Sequence, residues 1–386
     1  MNKRVFLIVL DGFGVGASED AVNFGDENSN TFKHVFELAH PNIPNLSKLG
    51  IKNIDGLELE KESKVIGNYG KLRELSAGKD TTTGHFEMMG IISKTPMPTF
   101  PNGFPKKIID KLEKEFKTKV IGNKVASGTE IIKELGEKHL KTGYPIIYTS
   151  ADSVLQIATH IDVVSIEKLY EFCKYAREIM IGEYAVGRVI ARPFKGIYPF
   201  ERINEGRKDF SVIPDKNNTM QKLYDANIGV YTVGKISEIF AGKAITKSYL
   251  NHNNKDSIEV CKKLIEEQNS GFYFVNLVDT DMLYGHRNNI EGYAESLEYT
   301  DKFIGEFINK MSESDILIIT GDHGNDPFTT STDHSREFVP LLVYGKNLPN
   351  NINFGTLDGF NQIGKFIEET FLNNNKSKIG EMIWKK

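Results

Sequence analysis

Three short apolar runs in this chain end in carboxylates. Val5–Leu10 runs into Asp11, Phe272–Val278 into Asp279-Thr280-Asp281, and Ile316–Ile319 leads to Asp322-His323. Acids gathered at one edge of a sheet repel one another and need cations to offset that repulsion. Four of the nine histidines stand in the same neighbourhood or in polar Gly/Thr-rich loops: His85, His286, His323 and His334. Carboxylates with imidazoles suit Mn, Zn or Fe, and two Asp/His triplets would hold two ions. A single strand-end Asp is more often a helix cap or turn residue, and Asp-His-Gly alone is a simple turn. Three strand-end acids with three nearby histidines, all in separate segments, favour a metal site. His34, His40, His139, His160 and His252 have no such context and read as ordinary surface or core residues.

A second chemical feature is Lys79-Asp80-Thr81-Thr82-Thr83-Gly84-His85, which follows Ser76-Ala77-Gly78. A hydroxyl at a loop or helix start becomes a nucleophile when a metal lowers its pKa. The alternative is an N-cap and a Thr-rich turn, with Glu87 assisting the cap. Beside a two-metal site the nucleophile reading is the stronger.

Elements must bring these groups together. Val5–Leu10, Ile146–Tyr148, Val230–Val233, Phe272–Val278, Ile316–Ile319 and Val339–Val343 are apolar without polar alternation, as in a parallel sheet covered on both faces. Between them, Ile290–Met311 follows helical spacing with one gap around Asp301, and Ser165–Met180 reads as a helix with Ser165 as its N-cap. The alternation predicts an α/β architecture with ligand sites at the carboxyl ends of the strands. Pro96, Pro98, Pro101 and Pro105 read as a linker, and the turn-rich Phe200–Asp215 as a return linker. The expected organisation is a core of residues 1–99 and 214–386 with a domain of residues 100–213 inserted.

Composition excludes other classes. Over 386 residues, Lys+Arg 48 against Asp+Glu 52 leaves a net charge of −4, so no global positive field is available for a nucleic acid. The lysines at 106, 107, 111, 114, 117 and 119 are interleaved with Asp110, Glu113 and Glu115 and read as a solvated helix face. Cys173 and Cys261 form no CxxC, which excludes a disulfide scaffold or cysteine zinc site and fits a reducing cytoplasm. No run reaches the ~18 apolar residues of a membrane helix. The apolar start stops at Asp11, short of a signal-peptide core.

Over nearly its whole length the chain resembles the bacterial phosphopentomutases of the alkaline phosphatase superfamily. The metal motifs point to the superfamily: Val9-Leu10-Asp11, Gly78–His85, Asn276–Arg287, Asp322–Asp326 and Thr332-Asp333-His334. The more specific motifs lie in the insertion: Ile121–Lys124, Ala126–Thr129, Tyr148–Ser153 and Val186–Phe194. One departure is Gly12 after Asp11, where pentomutases usually carry Ser; Asp-Gly occurs in the related phosphoglycerate mutases. The resemblance implies an alkaline phosphatase-like α/β core, its largely parallel sheet lying between helices, plus a smaller inserted α/β cap. It implies that Asp11, Asp322 and His323 ligate one Mn²⁺ and Asp281, His286 and His334 the other. Thr81, rather than Thr82 or Thr83, would be the nucleophile bridging both. Ser150, Asp152, Arg188 and Arg202 in the cap, with Lys235 in a core loop, would bind the sugar phosphate.

The implied activity is isomerisation of ribose or 2-deoxyribose 1-phosphate to the 5-phosphate, through phosphothreonine and a 1,5-bisphosphate. Glucose 1,6-bisphosphate or a similar sugar bisphosphate would be the activator. The implied partners are small-molecule pentose phosphates, with no nucleic acid, membrane or protein partner. The rivals are a metal-dependent phosphomonoesterase or phosphoglycerate mutase of the same fold, and a non-catalytic binding protein. The Arg188–Phe194 and Ser150–Ser153 motifs argue against the phosphoglycerate mutase, and the combined ligands and hydroxyl against the binding protein.

Overall fold

The protein is described from a computed structural model. It covers residues 3–384 except Ala151, Gln268 and Asn375; Ala151, within the Tyr148–Ser153 motif, therefore lies outside the described residues. The strands are β1 Arg4–Leu10, β2 Asn68–Arg73, β3 Ile121–Val125, β4 Ile146–Thr149, β5 Val154–His160, β6 Arg188–Lys195, β7 Glu201–Arg202, β8 Lys208–Ser211, β9 Gly229–Val233, β10 Lys247–Tyr249, β11 Gly271–Leu277, β12 Asp315–Thr320, β13 Val339–Tyr344 and β14 Asn353–Asp358. The helices used below are α1 Thr31–Ala39, α2 Pro44–Leu49, α3 Thr81–Met88, α4 Lys106–Phe116, α5 Gly128–Thr142 and α6 Ile166–Ile179. The chain divides into two compact units, one of residues 1–95 and 214–386 and one of residues 96–213.

The first unit is built on an eight-stranded sheet ordered β10-β9-β11-β1-β12-β13-β2-β14. Every pairing is parallel except those of β13, which runs against β12 and β2. β1, β11 and β12 are buried along their whole lengths, which explains their continuous apolar character. The carboxyl ends of β1, β11, β12 and β2 thus share one edge, and the reversed β13 begins at that same edge. A segment preceding β13 can therefore deliver side chains to the place where the other strands finish.

The helix Ile290–Lys310 packs on this sheet, and its apolar stripe is interrupted at Asp301 for a reason. Asp301 is buried and accepts from Leu46 N at 2.6 Å and from Asn45 N and Nδ2 at 3.2 and 2.9 Å. The residue before α2, Ile43, has no side chain that can cap it. Asp301 supplies that cap from another helix.

The second unit has the sheet β3-β4-β5-β6-β7, with β8 also paired to β6. One face packs on α4 and α6 through Ile147, Leu155, Ile157, Val189 and Ala191. The other carries Ile146, Tyr148, Ala158 and Phe194 against α5. Ser165 caps α6 by accepting from Lys168 N. Burial of Ile108, Leu112 and Phe116 leaves the lysines of α4 on its outer side. The stretch expected as a return linker instead contains β7 and β8, both antiparallel to β6. Pro193 sits where the partner of β6 changes from β8 to β7, a position at which its missing N–H costs no regular ladder bond. Phe100 and Phe104, in the Pro-rich stretch, pack into this unit's core. Among the described residues no helix is long and apolar enough to cross a membrane.

Candidate metal centre

β1 ends at Leu10 and places Asp11 at the carboxyl edge, almost fully buried. Gly12 follows with φ +74°, and a Cβ there would lie 3.0 Å from Asn325 Cβ and 3.1 Å from Asp281 Cβ. The turn and the close approach both require glycine, which accounts for the residue in physical terms. β11 leads to Asp281 and His286 through a short irregular helix. β12 leads to Asp322 and His323, and His334 comes from the segment before β13.

The structure brings two groups together with ligand atoms within 4.8 Å of one another: Asp281, His286, His334 and Asp11, Asp281, His323. Asp322 is outside the second group by that measure, and Asp281 belongs to both. Asp322 Oδ2 nevertheless lies 3.3 Å from His323 Nε2, and Asp11 Oδ1 3.5 Å from it. His323 Nδ1 is 3.0 Å from Gly324 O and His286 Nδ1 2.7 Å from Thr332 O. Each imidazole is thereby oriented with Nε2 towards the acids, the arrangement that outer partners impose on metal-binding histidines.

The electrostatics favour a cation. Burial, then Asp322 and Asp281, push the Asp11 carboxyl up. Burial opposes the ionised form of Asp281, but His334, His286 and His323 hold it low. Burial also opposes a charged His323, yet Asp322, Asp11 and Asp281 raise it well above its usual range. Positive charge is thus drawn to the space around His323 Nε2. Asp11 Oδ1 and Asp322 Oδ2 are buried with no hydrogen-bond partner among the described residues. Unpaired carboxylate oxygens facing oriented imidazoles fit divalent metal.

Thr81 opens α3 beside this cluster, its Oγ1 3.0 Å from His323 Nε2. Asp80 is the N-cap, accepting from Thr82 N and Thr83 N. Thr83 Oγ1 is spent on Asp80 Oδ2 at 2.5 Å, and Thr82 is buried. Thr81 is the hydroxyl of the three that faces the metal-ligand cluster. A Cβ at Gly84 would collide with the Asp322 carbonyl, so glycine lets α3 lie against the β12 loop. His85 is not in either group; its Nδ1 lies 2.8 Å from Thr81 O and 3.3 Å from Asp322 Oδ2.

The remaining expected site residues are distributed over both units. Lys235 is in the first, preceding the short helix Ile236–Ile239. Ser150, Asp152, Arg188 and Arg202 are in the second. Ser153 meets the start of β6, where Arg188 N donates to Ser153 O at 3.3 Å. Arg202 instead pairs with Phe194. The six residue steps from Arg188 to Phe194 correspond to roughly 20 Å along β6.

Several supporting residues escaped the sequence reading. Asn276 Nδ2 donates to Asp11 Oδ2 at 3.0 Å, and Asn325 Nδ2 to Asp281 Oδ1 at 2.7 Å. Glu337 accepts from Thr31 Oγ1, which in turn accepts from Asn325 N. Arg336 joins the His334 segment to the Thr81 loop through Gly78 O at 2.7 Å. A polar Asn inside the apolar run Phe272–Val278 was the available signal for Asn276; the others depend on tertiary contacts.

A family model described as the metalloenzyme superfamily matches residues 3–375. A phosphopentomutase of Lachnoclostridium phytofermentans is 51% identical over 371 residues, covering 96% of this chain and 95% of that protein. A phosphopentomutase of Caldanaerobacter subterraneus is 50% identical over 372 residues, covering 96% and 95%. Among solved structures, the PH0037 protein of Pyrococcus horikoshii aligns with TM-score 0.51 at 16% identity, covering 97% of this chain and 98% of that one. That last likeness concerns the fold.

Proposed function

The chain belongs to the phosphopentomutase family of the metalloenzyme superfamily, an isomerase family, and from that premise we propose that it moves phosphate between O1 and O5 of ribose or 2-deoxyribose through Thr81. The observation that carries the role of Thr81 is its hydroxyl, 3.0 Å from His323 within a cluster of buried acids and imidazoles. The residues for two ions are Asp11, Asp322 and His323 on one side and Asp281, His286 and His334 on the other. When bound, divalent ions, Mn²⁺ by family resemblance, offset the negative charge of these carboxylates and of a phosphoryl group.

The chain's own groups do the rest. Thr81 carries a phosphoryl group at the start of α3. The free hydroxyl of a ribose phosphate attacks it: the bond from phosphorus to Thr81 Oγ breaks and the bond to the sugar oxygen forms. In net terms the sugar hydroxyl proton ends on Thr81 Oγ, and a 1,5-bisphosphate results. The bisphosphate turns round, and its other phosphoryl group passes to Thr81 by the reverse step. Asp80 holds the helix start that aims Thr81, and Thr83 cannot substitute because its hydroxyl is bound to Asp80. Ser150, Asp152, Arg188, Arg202 and Lys235 bind the sugar phosphate, the arginines by paired hydrogen bonds to phosphate oxygens. A sugar bisphosphate such as glucose 1,6-bisphosphate supplies the first phosphoryl group.

The test is a coupled assay with ribose 1-phosphate, Mn²⁺ and a trace of glucose 1,6-bisphosphate. Thr81→Ala is expected to lose ribose 5-phosphate formation by at least about 10³-fold. Turnover surviving in that variant would remove Thr81 from the mechanism. Free phosphate released without ribose 5-phosphate would make the protein a phosphomonoesterase.

A further inference from the structure

The second unit presents a row of arginines along one face of β6. Arg188, Ile190, Arg192 and Phe194 alternate onto the same face, and Phe194 pairs with Arg202 on β7. α5 packs over that face against Ile146, Tyr148 and Ala158 and, on β6 itself, Phe194. Arg207 stands just before β8, whose Asp209 pairs with Ile190 and so lies on the same face.

Two of the four guanidiniums share one carboxylate. Asp209 Oδ2 lies 3.3 Å from Arg188 and 2.9 Å from Arg207. Arg192 and Arg202 have no ion pair among the described residues. Arg192 is half-buried, and its Nε donates to Gln156 Oε1 at 3.0 Å. Gln156 is itself 4% exposed and therefore a fixed anchor. Both terminal nitrogens of Arg192 lack an acceptor among the described residues, and neither is sealed from solvent. A guanidinium fixed through Nε presents its outer edge, the edge that forms two parallel bonds to an oxyanion. Burial, Arg207 and Arg202 lower the Arg192 pKa, with Tyr148 and Asp209 opposing them. Nearby, the Tyr148 hydroxyl is buried without a partner among the described residues. A Cβ on Gly128, at the start of α5, would lie 2.9 Å from that hydroxyl and 3.5 Å from Arg202 Nη1, which places Arg202 in the same cluster.

We propose that Arg192, oriented by Gln156 and flanked by Arg207 and Arg202, is the centre of a phosphate-binding site that the second unit forms without metal. Placed between Arg188 and Arg202 along β6, it joins those two into one surface for a phosphorylated sugar. This deepens the substrate reading above and rests on it for the identity of the sugar, but not for the phosphate.

The test uses the full chain freed of metal with EDTA and titrated calorimetrically with inorganic phosphate and with ribose 5-phosphate. Both are expected to bind. Arg192→Gln should weaken both by about tenfold or more. Arg207→Gln, at an exposed position that does not threaten folding, should weaken both by a smaller factor. Arg192→Lys should restore only part, because lysine lacks the planar fork. Tighter binding of ribose 5-phosphate than of inorganic phosphate identifies the sugar phosphate as the ligand, and equal binding identifies free phosphate; both support the site. No metal-free binding by the wild type, or unchanged affinity in Arg192→Gln, overturns it. If Arg192→Gln binds normally while Thr81→Ala abolishes turnover, this inference falls and the mutase reading stands. Arg192-dependent binding in a protein without mutase turnover gives the reverse.

Discussion

Replacing Arg336 by methionine should cost both stability and turnover, and its pH dependence can be worked out in advance. Arg336 is 3% exposed. Its Nη1 donates to Glu74 Oε2 at 2.6 Å and to Gly78 O at 2.7 Å; its Nη2 donates to Glu74 O at 3.1 Å and Asp20 Oδ2 at 3.0 Å. Methionine fills similar space but donates nothing. Asp20 is partly exposed and can turn to water, whereas the Glu74 side chain is 2% exposed and cannot. Breaking one side of a buried ion pair costs about 3–5 kcal/mol. At about 2 °C per kcal/mol for a unit of this size, Tm should fall by roughly 6–10 °C. Burial pushes the Glu74 carboxyl up and Arg336 opposes that; without Arg336 it rises further. A carboxyl whose folded pKa lies above its unfolded one costs nothing below about pH 4 and progressively more as pH rises towards the folded value. The Tm gap to wild type should therefore widen as pH rises through and above the wild-type folded value of Glu74, and adding Glu74→Gln should recover part of it there. Freed from Arg336, the Gly78 carbonyl no longer fixes the loop three residues before Thr81. A misplacement of about 1 Å there costs about 10² in kcat, with KM less affected. Differential scanning calorimetry across pH and steady-state kinetics read all of this. A gap below about 2 °C, or one independent of pH, would refute the electrostatic argument; a lowered Tm with wild-type kcat would refute the coupling to Thr81.

Two further outcomes follow from neighbouring contacts. Asn325→Leu removes the donor to Asp281 Oδ1 and should weaken divalent-metal affinity by about 10–100-fold, read by metal titration of EDTA-treated protein; unchanged affinity would show that Asp281 is held without it. His34, 2.6 Å from Asp326, has its pKa raised chiefly by that hydrogen bond, so its stabilisation is complete below about pH 6.5 and is lost as pH rises through the folded value. His34→Gln should therefore lower stability by about 1 kcal/mol at pH 6 and by much less at pH 9, and equal losses in urea unfolding at both would contradict this.

What the chain discloses before folding depends on how far each residue acts from its neighbours in sequence. β1, β11, β12 and β13 were legible because burial on both faces makes each a run of apolar residues, and their ends mark the site edge with Asp11, Asp281 and Asp322. β2 and β14 were not, since Asn68–Arg73 and Asn353–Asp358 mix polar and apolar residues without such a run. β7 and β8 were hidden among turn residues because an edge formed by two short strands separated by a 3-10 turn carries almost no periodicity. The gap at Asp301 appeared as a break in a pattern, and the asparagine within Phe272–Val278 was a break that the reading passed over. Each is a buried polar group whose partner lies far away in sequence: α2 for Asp301 and Asp11 for Asn276. Arg192 illustrates the remaining case. Its alternation with Arg188 is visible in the sequence, but its fixed and unsatisfied guanidinium is not. Those properties require Gln156 on β5 and Arg207 before β8 to arrive beside it, and only the fold brings them there.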